Sequence, residues 1–334
     1  MKSGSKQISL DVPVDFAWAA LVSGDRKDWY YRLTPEGEFA EGNHIRWVDG
    51  AGKIAEESEI VAMTAPRRMV LKSRFLFAAN FAAEEPHLVT WTVEEAPGGC
   101  SVDFAWRSGD GVAGLFDAEA ESILRGLRLA LDPAEQAALA RLPEIGDIEV
   151  RDVTPERVAE YQSFFDDAAF RDYPAWQSCY CMETHRTQGD EEWAGRTAAD
   201  NRRDMTGMIN RGEVTALLAF VDGKPVGWCN YGETTRLAGL IHRFGLQASD
   251  HEGVGSVACF VIAAPYRGHG VASGLLDAAV DRLRKRGLRA VEGYPARDED
   301  SAQGNYRGPL SMYLRAGFDV FRETERNIFV RKVL

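Results

Sequence analysis

The first part of the chain shows a strand-like pattern of apolar positions followed by a helix-like one. A short alternation at Gln7–Asp11 and a short apolar helix come first, and a helix over Leu115–Leu131 comes last. Between them, turn-forming residues separate segments in which apolar and polar residues alternate, as expected of half-buried strands. The segments are His44–Val48, Ile54–Met63, Arg68–Phe75, Leu88–Glu94 and Ser101–Trp106. The pattern predicts an α+β domain whose antiparallel sheet curls around a long C-terminal helix.

A break in the pattern follows residue 132. Pro133 can begin a short helix because the first helical position needs no N–H, and Pro143 and Gly146 then interrupt the chain. A new strand pattern begins at Ile148. We therefore expect one domain over residues 1–132, a linker over 133–147 and a second domain over 148–334.

The second domain alternates strands and helices, which is typical of an α/β domain. Its predicted helices cover Glu156–Phe165, a polar stretch at 192–208, and a segment from Val271 that Gly287 ends. A hairpin turns at Asp222-Gly223. The remaining predicted strands are Ile148–Val153, Val257–Ile262, Ala290–Tyr294, Asp319–Arg322 and Ile328–Val333.

Composition narrows the classes of partner. The net charge is −12, and such a protein repels nucleic acid and anionic lipid, while it tolerates a cationic amine. The chain lacks an apolar stretch of membrane-spanning length, and its N-terminus does not read as a secretory signal, so we expect a cytoplasmic protein. Five cysteines do not form a disulfide framework. The sequence assigns no oligomeric state.

The strongest chemical signal is the glycine-containing turn after the apolar run Val257–Ile262. The helix that begins at Val271 presents unpaired N–H groups and partial positive charge, which suit a diphosphate. Gly268 and Gly270 let the backbone approach phosphates without a Cβ in the way. A dinucleotide-binding pattern is excluded, because Ser273 stands where its third glycine would be.

Arg267-Gly268-His269-Gly270-Val271-Ala272 resembles the acyl-CoA signature of the GNAT acetyltransferases. That signature reads Gln or Arg, two residues, Gly, one residue, then Gly or Ala. This resemblance implies that the second domain is built on a mixed α/β sheet. It also implies that acetyl-CoA is the cosubstrate and that the backbone of Arg267–Ala272 holds its diphosphate. The resemblance further implies that Phe260, Val261 and Ile262 pair with the pantetheine arm as one strand pairs with another.

A second stretch, Ser311-Met312-Tyr313-Leu314-Arg315-Ala316-Gly317-Phe318, resembles the later GNAT helix that bears Tyr, three residues and then Gly-Phe. The resemblance implies that the Tyr313 hydroxyl lies near the CoA sulfur and protonates the leaving thiolate. Many members carry Asn seven residues before the tyrosine. Here that position is Tyr306, and Asn305 lies one place away.

Residues 5–132 resemble the SRPBCC, or START-like, superfamily, in particular its activator-of-heat-shock-ATPase and polyketide-cyclase-like branch. The segments that carry the resemblance are VPVDFAWAAL with Trp29, Gly42–Trp47, Pro86–Trp91 and the long final helix. The family implies a helix-grip fold with an apolar cavity. His44, Arg46, Trp47, His87 and Trp91 either face that cavity or make ordinary core and surface contacts.

Several further residues are candidates for chemistry in the second domain. Backbone N–H groups near Phe260–Ile262 could polarise the thioester carbonyl. The general base is open among Glu233, His251, Glu252 and Glu292. Aromatic candidates for acceptor contacts are Tyr173, Trp176, Tyr180 and Trp228. Cys179, Cys181 and Cys229 with His185 have poor zinc spacing, so no metal is predicted.

The sequence therefore predicts an acetyl-CoA-dependent N-acetyltransferase that acts on an unidentified amine, with a small molecule favoured. The first domain is expected to recruit an apolar ligand or to regulate the second. Two alternatives stay open. One is a non-catalytic acyl-CoA or apolar-ligand sensor, or a co-chaperone-like protein. The other is an acetyltransferase that modifies protein N-termini or lysines.

Overall fold

The computed structural model describes residues 1–187, 189, 192–193, 196–297 and 301–334. The chain divides into two compact units, Met1–Ala138 and Leu139–Leu334. Each unit is built on its own seven-stranded sheet. None of the helices in the described ranges combines the length and apolar character needed to cross a bilayer.

The first unit contains an entirely antiparallel sheet in the order β1-β7-β6-β5-β4-β3-β2. Its strands are β1 Lys2–Leu10, β2 Thr34–Glu36, β3 His44–Val48, β4 Ile54–Thr64, β5 Arg68–Phe75, β6 His87–Ala96 and β7 Gly99–Ser108. The five segments predicted between residues 44 and 106 are all strands. The α+β class of this unit is therefore confirmed, while the START-like helix-grip assignment stays a prediction.

Three helices belong to the first unit: α1 Val14–Val22, α2 Ala79–Ala82 and α3 Asp110–Leu131. Helix α3 begins five residues before the predicted start. Its buried positions Phe116, Ala120, Leu124 and Leu127 recur at helical spacing and pack into the core that the sheet forms. A fourth helix, α4 Pro133–Leu139, begins at the predicted proline.

The second unit contains a mixed sheet in the order β13-β14-β12-β11-β10-β9-β8. Its strands are β8 Glu149–Asp152, β9 Ala216–Val221, β10 Lys224–Glu233, β11 Val254–Ile262, β12 Ala290–Gly293, β13 Asp319–Glu323 and β14 Ile328–Val333. Strands β11 and β12 pair in parallel over Val254–Ser256 and Ala290–Glu292. Strand β11 continues for six residues past that pairing, so its far end reaches the turn that follows Ile262.

In the described part of the second unit, the α-helices with assigned bounds are α5 Val158–Ser163, α6 Ala198–Asn210, α7 Ala238–Phe244, α8 Val271–Lys285 and α9 Leu310–Arg315. The predicted helix over 156–165 is a 3₁₀ turn, then α5, then a π-helical turn over Phe164–Ala168. Helix α6 begins within the polar stretch predicted at 192–208 and ends two residues beyond it; residues 194 and 195 of that stretch lie outside the described residues. Helix α8 buries Leu275, Leu276 and Leu283 against the sheet.

Candidate functional site

The turn between β11 and α8 has the backbone geometry that a diphosphate requires. Residues 267–270, called the glycine turn below, place Gly268 at φ +76° and Gly270 at φ +85°. Both values lie in the left-handed region that favours glycine. Gly270 is the N-cap of α8 and has no side chain to accept from the first N–H groups of that helix. Those N–H groups remain available to an anion, so the residues present fit the diphosphate of CoA.

A cavity of about 420 Å³ lies beside the glycine turn. Its walls include eight of the nine predicted cofactor-binding residues: Phe260, Val261, Ile262, Arg267, Gly268, Gly270, Val271 and Ala272. The structure thus brings the end of β11, the glycine turn and the start of α8 together around one space. The opposite wall comes from Phe170, Asp172, Tyr173, Trp176, Gln303, Asn305, Tyr306 and Arg315, among others.

Two predicted residues of the turn are held by the protein itself. The Arg267 guanidinium pairs with the Asp172 carboxylate through both of its terminal nitrogens, and its Nε donates to the Ile262 carbonyl at 2.9 Å. The His269 ring lies outside the cavity walls, with Nε2 2.8 Å from the Leu142 carbonyl oxygen. Arg267 and His269 therefore offer backbone groups to a ligand, whereas their side chains hold the turn in place.

The outer edge of β11 is used by the chain. The Phe260 N–H donates to the Tyr306 carbonyl at 2.6 Å. Arg307 is buried, and its Nη1 donates to the Ala258 carbonyl at 3.0 Å. The segment Tyr306–Arg307 therefore lies along the strand edge that the sequence assigns to pantetheine.

Tyr313 lies beneath that segment and not in the cavity wall. It is fully buried, and its hydroxyl donates to the Arg307 carbonyl at 2.8 Å. Burial raises the pKa of the Tyr313 phenol well above its usual value, so the group stays protonated. Glycines at 293 and 308 make room for the ring, since a Cβ on Gly293 would lie 2.4 Å from a Tyr313 ring carbon. The predicted approach of this hydroxyl to the CoA sulfur stays a prediction.

The candidate bases have other partners. Glu292 is fully buried, with one oxygen paired to Arg331 and the other 3.1 Å from the Tyr294 hydroxyl and 3.4 Å from His251 Nε2. Glu233 pairs with Arg236 at 3.7 Å. The carbonyl of Glu252 accepts from Arg289. None of these candidates belongs to the cavity wall.

The aromatic candidates divide into two pairs. Tyr173 and Trp176 line the cavity, and the Trp176 ring meets both Tyr173 and Tyr306 edge-to-face, with centroids 5.2 and 5.3 Å apart. The Tyr180 hydroxyl donates to Asp166, and Trp228 is fully buried in the core. The first pair can therefore touch an acceptor, while the second pair stabilises the domain.

Among the cysteine candidates, Cys181 and Cys229 are buried and Cys179 is half-buried. Burial raises the pKa of Cys179 to about 12 and holds the pKa of Cys229 well above its usual range. Burial also lowers the pKa of His185 to about 4, and its Nε2 lies 2.8 Å from Asn230 Nδ2. Within the described ranges, His, Cys, Asp and Glu side chains do not gather into a group of three that could hold a metal ion.

Sequence reasoning missed several residues of the site. Asp172, Gln303 and Arg315 line the cavity from loops or a helix end, where no periodic signal exists. Gly227 of β10 is a further one, since a Cβ there would lie 2.8 Å from Val271 Cγ1 at the start of α8. A glycine within a strand pattern is a sequence signal for such close approach.

Polar residues in the first unit also proved to be interior. Trp47, His87 and Trp91 are buried, while His44 and Arg46 are exposed. Glu56 is fully buried as well; the Tyr30 hydroxyl donates to it at 2.9 Å. Burial raises the pKa of Glu56 to about 7.

The profile of the acetyltransferase (GNAT) family matches residues 160–308. This part of the chain is a GNAT acetyltransferase domain, so the GNAT prediction is confirmed there. The enzyme is an acyltransferase with acetyl-CoA as its cosubstrate.

Several solved structures are similar to the chain, each over part of its length. The PaiA N-acetyltransferase of Thermoplasma acidophilum in complex with coenzyme A is 16% identical, covers 56% of this chain and 99% of its own, and has a TM-score of 0.36. An N-acetyltransferase of Staphylococcus aureus Mu50 is 12% identical with the same two coverages and a TM-score of 0.36. CalU16 of Micromonospora echinospora is 18% identical, covers 40% of this chain and 78% of its own, and has a TM-score of 0.31. No curated protein matches.

Proposed function

We propose that the chain transfers the acetyl group of acetyl-CoA to the amino group of a small molecule. The observation that carries the proposal is the glycine turn. Its two left-handed glycines and the uncapped start of α8 border the same cavity as the last residues of β11. Backbone N–H groups at Arg267–Ala272 would hold the diphosphate, and Phe260, Val261 and Ile262 would lie along the pantetheine arm.

Bound acetyl-CoA supplies an activated acetyl thioester. The protein contributes position, which can account for about 7–11 kcal/mol of the barrier to such a transfer. Phe260 lines the cavity, and its N–H can polarise an acyl oxygen once it leaves the Tyr306 carbonyl. Tyr313 is proposed as the general acid for the departing sulfur: burial keeps its phenol protonated, and its raised pKa must fall as the segment Tyr306–Arg307 leaves for the proton to move.

The acceptor is proposed to be small because of the cavity. Tyr173, Trp176 and Tyr306 line the cavity, and the Trp176 ring contacts both tyrosines edge-to-face. A volume of about 420 Å³ that must also admit the pantetheine arm leaves room for a compact amine. The candidate bases at 233, 251, 252 and 292 stand outside the wall, so the proposal assigns no side-chain base.

Residues 1–132 are proposed to form a START-like domain that binds an apolar ligand or regulates the transfer, joined by the linker 133–147 to the GNAT domain over 148–334. Phe75, Phe104 and Phe116 pack against one another in a closed aromatic core, which would have to open to admit an apolar ligand. The cytoplasmic location remains part of the proposal.

The test is acyl transfer by the full chain with a panel of small amines, followed by mass spectrometry of the acetylated products. Wild type should acetylate at least one amine, and Gly270→Ala should bind CoA about tenfold more weakly, because alanine is strained at φ +85°. CoA binding with no transfer to any amine or protein extract would favour the sensor. Transfer only to protein N-termini or lysines would favour the protein-modifying alternative.

A further inference from the structure

The residues just before the second sheet make a contact that the family match does not include. Arg141 and Leu142, called the Arg141–Leu142 clamp below, lie on the glycine turn and outside residues 160–308. The Leu142 N–H donates to the Pro265 carbonyl at 2.9 Å. The Arg141 guanidinium donates to two consecutive carbonyls, those of Arg267 at 3.1 Å and Gly268 at 3.3 Å. His269 Nε2 lies 2.8 Å from the Leu142 carbonyl oxygen and completes the set.

These bonds decide the orientation of two peptide planes in the turn. In a planar trans peptide the C=O and the N–H point in opposite directions. Because Arg141 holds the carbonyl of Arg267, the N–H of Gly268 points to the other side of the turn. The carbonyl of Gly268 fixes the N–H of His269 in the same way. Glycine would otherwise allow these planes to rotate freely.

We infer that Arg141 is a positioning residue for the CoA diphosphate. It holds the turn from its carbonyl side, so that the N–H groups of Gly268 and His269 are turned toward the phosphates before CoA arrives. Its guanidinium also places a positive charge behind the turn, since a Cβ on Gly268 would lie only 3.0 Å from Arg141 Nε. The inference rests on the proposed function of the glycine turn and adds a residue to it.

The side chains of Arg267 and His269 do not provide the same effect. Arg267 is occupied by Asp172 and Ile262, and the His269 ring is bonded to the clamp. Arg141 is exposed and contributes little to the core, so its removal should change the turn without unfolding the domain.

The test uses the full chain and compares ligands and acetyl donors that contain the diphosphate with one that lacks it. Arg141→Ala should weaken binding of CoA and of 3′-phosphoadenosine 5′-diphosphate about tenfold, the size expected for losing a pair of charge-assisted hydrogen bonds. The KM for acetyl-CoA should rise by a similar factor while kcat changes little. S-acetylpantetheine, which lacks the diphosphate, should react with an unchanged KM. Arg141→Lys keeps the charge but not the fork, and should recover part of the affinity.

His269→Ala provides a second, independent measurement. Arg141 and His269 hold the same turn. The loss of CoA-binding free energy in the double variant should therefore be smaller than the sum of the losses in the two single variants. Arg211→Ala is the matched control, as this exposed arginine pairs with Glu213 away from the turn. Its CoA affinity should equal that of wild type.

The outcomes separate the inference from the proposed function. If wild type binds neither CoA nor the diphosphate fragment, the glycine turn is not a CoA site and both ideas fail. If wild type binds CoA and Arg141→Ala binds it equally well, the inference alone fails. It also fails if Arg141→Ala slows S-acetylpantetheine as much as acetyl-CoA, since the effect would then not act through the diphosphate.

Discussion

The N–H of Phe260 donates to the carbonyl of Tyr306 at 2.6 Å. The next carbonyl along the chain, that of Arg307, accepts from the Tyr313 hydroxyl at 2.8 Å. Two consecutive carbonyls thus occupy the two donors that the proposed transfer would use. A backbone N–H has one hydrogen, so it cannot serve Tyr306 and an acyl or pantetheine oxygen fully at once. The proposed reaction therefore requires the segment Tyr306–Arg307 to leave the edge of β11.

The first prediction concerns the side chain that holds this segment. Arg307→Ala removes the bond to the Ala258 carbonyl and should free the edge more often. CoA should then bind about three- to tenfold more tightly, because less binding energy is spent on displacement. Binding of 3′-phosphoadenosine 5′-diphosphate, which does not reach this edge, should stay the same. Calorimetric titration of both ligands measures the difference.

Arg243→Ala is the matched control for that variant. Arg243 reaches the same Glu183 carboxylate at 3.3 Å, as Arg307 does at 3.7 Å, but the bond to the Ala258 carbonyl belongs to Arg307. The control should leave both affinities unchanged. Weaker CoA binding by Arg307→Ala would mean that the segment supports the ligand, and the displacement argument would be wrong.

The second prediction tests the proposed acid. Tyr313→Phe should lower the rate of acetyl transfer about 100-fold while CoA affinity is kept, since a general acid contributes roughly that factor. Initial-rate assays measure the acetyl-transfer rate, and calorimetry measures the affinity for CoA. Tyr161→Phe is the control, because its buried hydroxyl also donates to a backbone carbonyl, that of Tyr180, at 3.0 Å. If Tyr313→Phe and Tyr161→Phe slow acetyl transfer equally, the Tyr313 hydroxyl has a structural role and is not the general acid.

The third prediction concerns the space around the Tyr313 ring. Gly293→Ala would place a Cβ 2.4 Å from Tyr313 Cε1 and 2.9 Å from its hydroxyl oxygen, so the ring must move. We expect a loss of about 1–3 kcal/mol in the free energy of unfolding, together with slower transfer. Gly274→Ala in α8 meets no atom within 4 Å and should be neutral or stabilising by up to about 1 kcal/mol. Denaturant unfolding measures the free energy of unfolding of both variants and tests this difference.

The fourth prediction is a pH dependence in the first unit. The pKa of Glu56 is raised by burial to about 7, so the folded protein keeps a proton that the unfolded chain releases above its ordinary value of 4.5. The contribution of Glu56 to the free energy of unfolding is fully present below its ordinary pKa and is lost as pH rises through 7. The loss amounts to up to about 3 kcal/mol. His87 acts oppositely, since burial lowers its pKa to about 4 and its contribution is lost as pH falls below 6.5.

Glu56→Gln separates the two effects. Without Glu56, hydrogen exchange at the β4 and β5 amides should show stability that rises from pH 4 to 6.5, as His87 alone requires. In wild type the opposing terms should flatten the same curve. Identical pH profiles for the two proteins would contradict the buried, proton-holding state of Glu56.

Much of the fold could be predicted because its signals are local. Strands β3, β5 and β14 have the predicted bounds, and the stop at Gly287 follows the end of α8. The glycine turn was also predictable, since left-handed φ at Gly268 and Gly270 leaves a mark in the sequence. Both signals are local: alternation reflects which face of a strand is buried, and glycine placement reflects the backbone conformation at that residue.

Contacts between residues far apart in the sequence could not be predicted, because no local pattern indicates them. Asp172 reaches Arg267 across 95 positions of chain, and Arg141 reaches the Arg267 carbonyl across 126 positions. The pattern of Tyr, three residues and Gly-Phe that identifies Tyr313 does not reveal that its hydroxyl meets the Arg307 carbonyl, because Gly308 and Pro309 redirect the chain between them. Loop paths of this kind depend on tertiary packing.

The most direct measurement is a crystal structure of the full chain with CoA. The diphosphate should accept hydrogen bonds from backbone N–H groups between Gly268 and Ala272, and the pantetheine arm should lie along Phe260–Ile262 with Tyr306 displaced. Density for the diphosphate away from the start of α8, or an arm that leaves the Phe260–Tyr306 bond in place, would contradict this account.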